Sequence, residues 1–453
     1  MNKYVYRFLC AVILVFLAMG SFAWVWINFV RVHNQTGHLM GKGNLTMSIL
    51  LYGALFFVIG KLLRAFKVGV ERKAKMVASI IITSFVVDIL DIFFSLAVTG
   101  QFRFFPDFLW RYLLLAVFQS AVFFVLMILM CNLYRFIIPP LNILEVKGSH
   151  NNNLVMALNT VKHKYSVKDS VLYDDPELKS RMEKFDAVLI NDVPAEAENK
   201  IIKMCFEDNK RVYIVPKISD IIIKSSDNIN LVDTPLFLCR NLGISKWEAF
   251  IKRSFDICCS LLALILLSPI LLITALAIKL EDKGPVFFRQ ERVTLNGKRF
   301  MILKFRSMIV DAEKDGRPHP AGEKDDRITK VGHVIRACRV DELPQLINII
   351  KGDMSIVGPR PERWEHVEKY TRDIPEFAYR HKVKGGLTGY AQVYGKYNTD
   401  ALDKLKLDLM YITNYSLLLD LQIIFETMKI LFIKDSTEGF EQKKIEGMHD
   451  FNK

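Results

Sequence analysis

Apolar residues come in long blocks along the first third of this chain. Leu9–Val30, Met76–Thr99 and Leu109–Ile138 each run for about 20 residues or more, the length a helix needs to cross the hydrocarbon core. Thr46–Leu63 is shorter, and its Lys61 must snorkel toward the headgroups. Between the second and third blocks lies a basic loop carrying Lys61, Arg64, Lys67, Arg72, Lys73 and Lys75, whereas Arg31–Asn44 and Gly100–Asp107 are poorer in Lys and Arg. The positive-inside rule puts the basic loop in the cytoplasm. Four spans then return the N-terminus and everything after Pro140 to that side. No signal-peptide cleavage pattern follows the first block, so it is expected to remain as an anchor. Asp88 and Asp91 fall inside the third block. A carboxylate within a membrane helix is a functional candidate, but a helix–helix hydrogen bond is the simpler expectation where nothing else suggests transport.

Pro139-Pro140 ends the membrane pattern, and the next hundred residues are polar with short apolar runs. Asp169–Tyr173, Ala187–Ile190 and Arg211–Val215 read as buried strands, with a helix over Glu196–Glu207 between the last two. That alternation predicts a small parallel α/β unit. No G-x-G-x-x-G follows a strand, so dinucleotide binding has no support and a structural or regulatory role is expected. Next, Ile257–Ile278 is a 22-residue run without a charge. It would be about 33 Å long as a helix, enough to span. Its flanks, however, carry Lys246, Lys252 and Arg253 on one side and Lys279, Lys283, Arg289 and Arg292 on the other. Both ends therefore prefer the cytoplasm. Ser268-Pro269 sits in the middle, where proline removes a hydrogen bond and a serine hydroxyl can satisfy the freed carbonyl. The pattern predicts a re-entrant helix–break–helix over 257–280. A fifth ordinary span is the alternative, and it would place everything downstream outside.

Downstream, Gly284–Arg292 and Lys298–Met308 alternate like a hairpin turning at Asn296-Gly297. Lys304 and Arg306 would share one face of the second strand, where such a pair is either solvated surface or a phosphate contact. The densest chemistry lies in Arg336-Ala-Cys-Arg-Val-Asp-Glu-Leu-Pro-Gln345 and Lys351-Gly-Asp-Met-Ser-Ile-Val-Gly-Pro-Arg-Pro-Glu362. Asp341 reads as the N-cap of a helix over Leu343–Ile350, with Pro344 in the first turn. Arg336 and Arg339 are expected to lower its pKa. An ionised, fixed carboxylate can serve as a nucleophile, and the adjacent Glu342 can hold a hard metal ion. The plainer reading is an N-cap beside a solvated glutamate. Arg360, pinned between Pro359 and Pro361, suits bidentate phosphate recognition. Val383–Gly389 is a glycine-rich loop whose amides can approach an anion, without the signature of a P-loop. Leu402–Phe432 predicts one or two amphipathic helices, lying on a membrane or closing the domain, and the tail from Lys434 is polar.

Composition narrows the partners. Hydrophobic residues make up 51% of the 453, and net charge is +13. Mean hydropathy is +0.21. With long apolar runs present, this basic excess suits anionic headgroups or phosphate substrates, and no aromatic-interleaved basic patch supports nucleic acid. The seven cysteines (10, 131, 205, 239, 258, 259 and 338) lack CxxC spacing and read as reduced packing residues.

Arg327-Ile-Thr-Lys-Val-Gly332, Asp341-Glu-Leu-Pro-Gln345 and the 351–362 motif occur in order with short gaps. Together they resemble the bacterial sugar transferase family, the polyprenyl-phosphate phosphoglycosyl transferases of the monotopic type, from Lys252 to Phe432. The resemblance implies a membrane α-helical N-terminal bundle (1–140), a small Rossmann-like α/β middle domain (141–245) and a mixed α/β catalytic domain (246–453) anchored by the re-entrant helix. It implies transfer of a sugar-1-phosphate from a UDP-sugar to polyprenyl (undecaprenyl) phosphate at the cytoplasmic face of the bacterial membrane, releasing UMP. This is the initiating step of exopolysaccharide, capsule or O-antigen synthesis. Asp341 would form an aspartyl-phosphosugar, Glu342 would help bind Mg²⁺, and Lys304, Arg306, Arg336, Arg339, Arg360 and Glu362 would meet the substrates. Large members are often dimeric, so a homodimer is expected. The family pattern usually has proline where this chain has Gly385. Two other readings remain open. A processive glycosyltransferase would need an acidic motif, for which Asp311-Ala-Glu313 is the nearest match. A non-catalytic membrane scaffold would need neither Asp341 nor Arg360. The sugar and the pathway are not legible.

Overall fold

The computed structural model describes residues 2–29, 33, 42–148, 154–159, 164–231, 233–239, 243–310, 325–395 and 399–431. Asp311-Ala-Glu313, the tail from Lys434 and most of the Arg31–Asn44 loop lie outside the described residues. The chain divides into two compact units, Met1–Pro216 and Lys217–Lys453.

In the first unit each apolar block is a helix: Lys3–Phe29, Lys42–Leu62, Lys73–Thr99 and Phe105–Ile137. Each is long and apolar enough to cross a membrane. Each helix packs on the next, and the fourth returns to the first. Leu14, Phe22, Tyr52, Phe56, Phe123 and Met127 lie at the centre. The ring of Phe22 stacks on Tyr52 at 4.2 Å. Asp88 and Asp91 make the helix–helix hydrogen bonds expected of them. The Tyr52 hydroxyl donates to Asp88 Oδ1 at 2.7 Å, and the Tyr112 hydroxyl donates to Asp91. Gln119 Nε2 extends the layer to Tyr52 and to Ser21 Oγ.

The same unit carries a four-stranded, wholly parallel sheet in the order 165–172, 141–147, 187–191, 211–214. Helices cover both faces. Leu178, Met182, Ile201 and Cys205 pack on Val146 and Ile190, while Leu154 and Leu158 pack on Ile143 and Leu189. Three strands and the helix Ala195–Glu207 follow the sequence pattern. The central strand Leu141–Lys147 does not, because Glu145 interrupts its apolar run. That carboxylate is buried and held by Ser170 Oγ (2.6 Å) and Asn191 Nδ2 (2.8 Å), so its burial leaves no oxygen stranded.

The second unit is built against one helix, Lys246–Asp282. The expected interruption at Ser268-Pro269 is absent, and the helix runs unbroken through it. Pro269 cannot donate to the Ile265 carbonyl four residues back, but Ser268 Oγ does so instead at 2.8 Å. The helix exposes an apolar stripe and buries a mixed one, in which Ile278 joins four polar side chains. Lys252, Asp256, Ser260 and Thr274 face the unit, while Leu262, Ile265, Leu266, Leu272, Ile273 and Leu280 face outward. Both ends are tied down. Lys252 Nζ pairs with Asp420 at 2.6 Å, Arg253 Nη2 donates to the Ile350 carbonyl at 2.7 Å, and Asp256 accepts the Ile356 N–H at 3.0 Å. At the far end Asp282 pairs with Arg306, and Glu281 accepts the Lys330 N–H at 2.8 Å.

Strands Phe287–Val293 and Arg299–Phe305 form the expected hairpin. Asn296 and Gly297 both take positive φ at its turn (56° and 74°), which favours this dipeptide. Residues Leu402–Phe432 resolve into helices Ala401–Thr413 and Leu417–Leu431, whose Leu405, Leu409 and Ile423 join Phe377 and Ile221 in the core.

Candidate active site

A three-residue 3-10 turn, Val340–Glu342, presents the carboxylate pair. The α-helix begins only at Gln345, with Pro344 as its cap, so Asp341 is not the N-cap expected from sequence. The reason lies one residue upstream. Arg339 adopts φ 58°, and this left-handed residue turns the chain sharply after the helix Lys330–Ala337.

Asn348 fixes the turn against the hairpin. Its Oδ1 accepts the Leu303 N–H and its Nδ2 donates to the Met301 carbonyl, both at 2.9 Å, replacing the strand neighbour that this hairpin edge lacks. Lys304 is thereby brought to Glu342: Nζ meets Oε1 at 2.7 Å. Arg360 meets the same oxygen at 2.9 Å from the Pro359–Pro361 loop. A small cleft opens beside them, lined by Arg292, Ile302, Lys304, Gln345, Arg360 and Gly386.

The two neighbouring carboxylates have opposite electrostatics. Burial alone would raise Glu342, but Arg360 and Lys304 more than offset it and hold its carboxyl well below the ordinary range. Asp341 is raised, first by burial and then by the Glu342 charge, with Lys304, Arg336 and Arg339 only partly compensating. Expecting the two arginines to prevail overlooked the desolvation that tertiary packing imposes. Among the described residues, neither arginine forms an ion pair with Asp341. Lys304 is itself lowered by burial, against the pull of Glu342.

Lys304 and Arg306 do not act together. Arg306 is buried at 7% exposure and pairs with Asp282 at the end of the long helix. Glu362 also turns inward, toward Arg380 (3.7 Å) and Lys404 (3.5 Å). Arg380 is the hub of that cluster. It pairs with Asp408 at 2.8 Å and donates to the Arg360 carbonyl at 2.9 Å, so it holds the loop that carries Arg360. Gly385 packs directly on Pro361, its N–H donates to Thr294 Oγ1 at 3.0 Å, and its carbonyl accepts the Ser355 N–H at 2.9 Å. Those bonds stiffen the loop where the family usually has proline.

Sequence reasoning missed Arg292, Asn348 and Arg380 as site residues. The hairpin register was a usable signal for the first, since Arg292 pairs with Phe300 and so shares a face with Lys304. For the other two, whose partners are 45 and 28 residues away, no local pattern exists.

Residues 247–434 match the family model described as bacterial sugar transferase. The chain is 40% identical over 267 residues to UDP-N-acetylgalactosamine-undecaprenyl-phosphate N-acetylgalactosaminephosphotransferase of Aeromonas hydrophila, covering 57% of this chain and 62% of that protein. It is 43% identical over 191 residues to UDP-glucose:undecaprenyl-phosphate glucose-1-phosphate transferase of Caulobacter vibrioides, covering 41% of this chain and 71% of that one. It is 39% identical over 192 residues to an uncharacterized sugar transferase of Bacillus subtilis, covering 42% of this chain and 91% of the relative. The chain spans about half the length of several such relatives.

Proposed function

This chain belongs to the bacterial sugar transferase family, and on that premise we propose that it transfers a sugar-1-phosphate from a UDP-sugar to a polyprenyl phosphate, releasing UMP. The product would begin a polysaccharide at the cytoplasmic face of the membrane. The observation that carries this reading is the Asp341–Glu342 pair, with Glu342 kept ionised by two of the three cations that line the cleft. Two anionic substrates can meet only where cations neutralise them. Asp341 is the one member of the pair without a cation bonded to it among the described residues, so its oxygens are available for attack. Its raised pKa also makes it the more basic of the two nucleophile candidates.

In the proposed reaction an Asp341 oxygen attacks the β-phosphorus of the donor, and the bond to UMP breaks. A polyprenyl phosphate oxygen then attacks the same phosphorus, and Asp341 leaves as the carboxylate. Arg360 and Lys304 hold the phosphoryl oxygens, and Arg380 keeps Arg360 in place. Among the described residues no group of three or more His, Cys, Asp or Glu side chains is placed to hold a metal ion, but Mg²⁺ can take one or two carboxylates and complete its shell with phosphate oxygens and water. Both cations use Oε1 of Glu342, which leaves the other oxygen for the metal. When bound there, the ion would offset charge on the diphosphate.

Membrane placement belongs to the same proposal. Both ends of the long helix are bonded to the same compact unit, which supports both ends lying on one side of the bilayer. Its outward apolar face supports insertion into one leaflet, which would hold the cleft at headgroup depth. The parallel sheet supports reading residues 141–245 as a small Rossmann-like domain.

Intact mass after incubation with UDP-sugars and Mg²⁺, without acceptor, tests the chemistry. The expected result is a gain of one sugar phosphate, absent in Asp341→Asn, with the mass naming the sugar. No adduct, and no UMP release when polyprenyl phosphate is added, would overturn the proposal in favour of a scaffold.

A further inference from the structure

The cleft lined by Lys304 and Arg360 holds a third cation, Arg292, that no carboxylate bonds among the described residues. Lys304 and Arg360 are both bonded to Glu342. Arg292 lines the same cleft, yet it donates only to neutral acceptors, the Pro361 carbonyl at 3.1 Å and Gln290 Oε1 at 2.6 Å. Its Nε is buried with no acceptor. Most of the donors of the fork are therefore unspent.

We infer that Arg292 is a ligand for the diphosphate of the donor substrate, the cation that an incoming phosphate engages while Glu342 still occupies Lys304 and Arg360. The inference deepens the transferase proposal and rests on it for the identity of the ligand.

Three observations support it. The hairpin register puts Arg292 on the face that carries Ile302 and Lys304, and both cations line the same cleft. Its surroundings are electropositive and desolvated: burial first, and then the Arg360 charge, lower its pKa to about 10. Glu362 and Glu342 offset only part of that cost without bonding the guanidinium, and a purely structural link to Pro361 could be made by a neutral donor. An anion in the cleft removes that cost, and a planar fork matches two phosphate oxygens at once. Gln345 and the backbone at Gly386 complete the lining. Gly386 must lack a side chain, because a Cβ would sit 2.1 Å from the Gly358 nitrogen.

The test is calorimetric binding of inorganic pyrophosphate to the full-length protein in lipid nanodiscs. Arg292→Gln keeps a donor toward Pro361 and loses the charge, Arg292→Lys keeps the charge and loses the fork, and Lys298→Gln controls for an exposed cation nearby. The expected result is at least about a ten-fold loss of pyrophosphate affinity in Arg292→Gln, in line with one lost charge-assisted contact. Arg292→Lys should be intermediate and Lys298→Gln unchanged. In turnover, Arg292→Lys should raise KM for the UDP-sugar more than it lowers kcat. Equal pyrophosphate affinity in wild type and Arg292→Gln overturns the inference. Should Arg292→Gln fail to fold, Arg292→Lys decides, and unchanged affinity and KM there overturn it equally. Failure of the transferase proposal reads differently: pyrophosphate binding that depends on Arg292, in a protein forming no sugar-phosphate adduct, leaves the anion site standing and removes the chemistry.

Discussion

Glu342 gives one oxygen to both Lys304 and Arg360, whereas Asp341 stands beside it with no bonded cation among the described residues. As the proposed nucleophile Asp341 must be ionised, and burial together with the Glu342 charge raises its pKa above the ordinary 3.8. Its proton is therefore lost at a higher pH than for a free aspartate, and kcat/KM should fall as pH drops through that raised value. Lys304→Met removes a cation that lowers Asp341, so the acid limb of the profile for UMP release should move to higher pH. A limb that stays in place would separate Asp341 from the chemistry. Arg380 acts a layer further back. It is 2% exposed and answers the buried Asp408 at 2.8 Å. Arg380→Met should cost about 3–5 kcal/mol in thermal unfolding by leaving that carboxylate uncompensated. Arg380→Met with Asp408→Leu should recover most of the stability but not the activity, because the Arg360 carbonyl loses its donor in both.

The long helix Lys246–Asp282 shows how a single element serves two solvents. Its outward stripe is apolar, and its inward stripe carries Lys252 and Asp256. The Lys252–Asp420 pair at 2.6 Å joins it to the helix Leu417–Leu431, where the Tyr411 hydroxyl bonds the other Asp420 oxygen at 2.8 Å. Lys252→Met strands a buried carboxylate and should destabilise the second unit by about 3–5 kcal/mol, with Lys252→Met plus Asp420→Leu restoring much of it. Denaturation of the two variants measures this, and equal stability of the single and double substitutions would count against the pair as an anchor. Ser268 shows the economy of the helix middle. By donating to the Ile265 carbonyl it supplies the hydrogen bond that Pro269 cannot make.

Across the whole molecule, charge and hydropathy set the expected placement in the membrane. The loop between the second and third helices is basic, and an even number of helices precedes Leu141. Single cysteines replacing Lys67, Lys246 and Lys283 should react with an impermeant maleimide from the cytoplasmic side only, while one replacing Gln101 should react from outside. Opposite labelling of positions 246 and 283 would make the long helix an ordinary span and put Asp341 on the wrong side for a nucleotide sugar.

Much of this architecture was legible before any fold was known, because the patterns that carry it are local. Hydropathy runs mark the membrane helices since each helix satisfies its own backbone. The Asn-Gly turn marks the hairpin since few residues tolerate positive φ. The motifs around Asp341 and Arg360 are contiguous, so their chemistry could be read residue by residue. What only the tertiary structure decided depends on contacts between distant segments. Burial, not the adjacent arginines, dominates the pKa of Asp341. Arg306 is drawn away to Asp282, and Glu362 to Arg380 and Lys404. Glu145 sits within a central strand because Ser170 and Asn191 reach it from neighbouring strands. Arg292 joins the cleft through the register of a hairpin. Desolvation and partner choice are properties of the packed chain, and a linear pattern of residue types does not contain them.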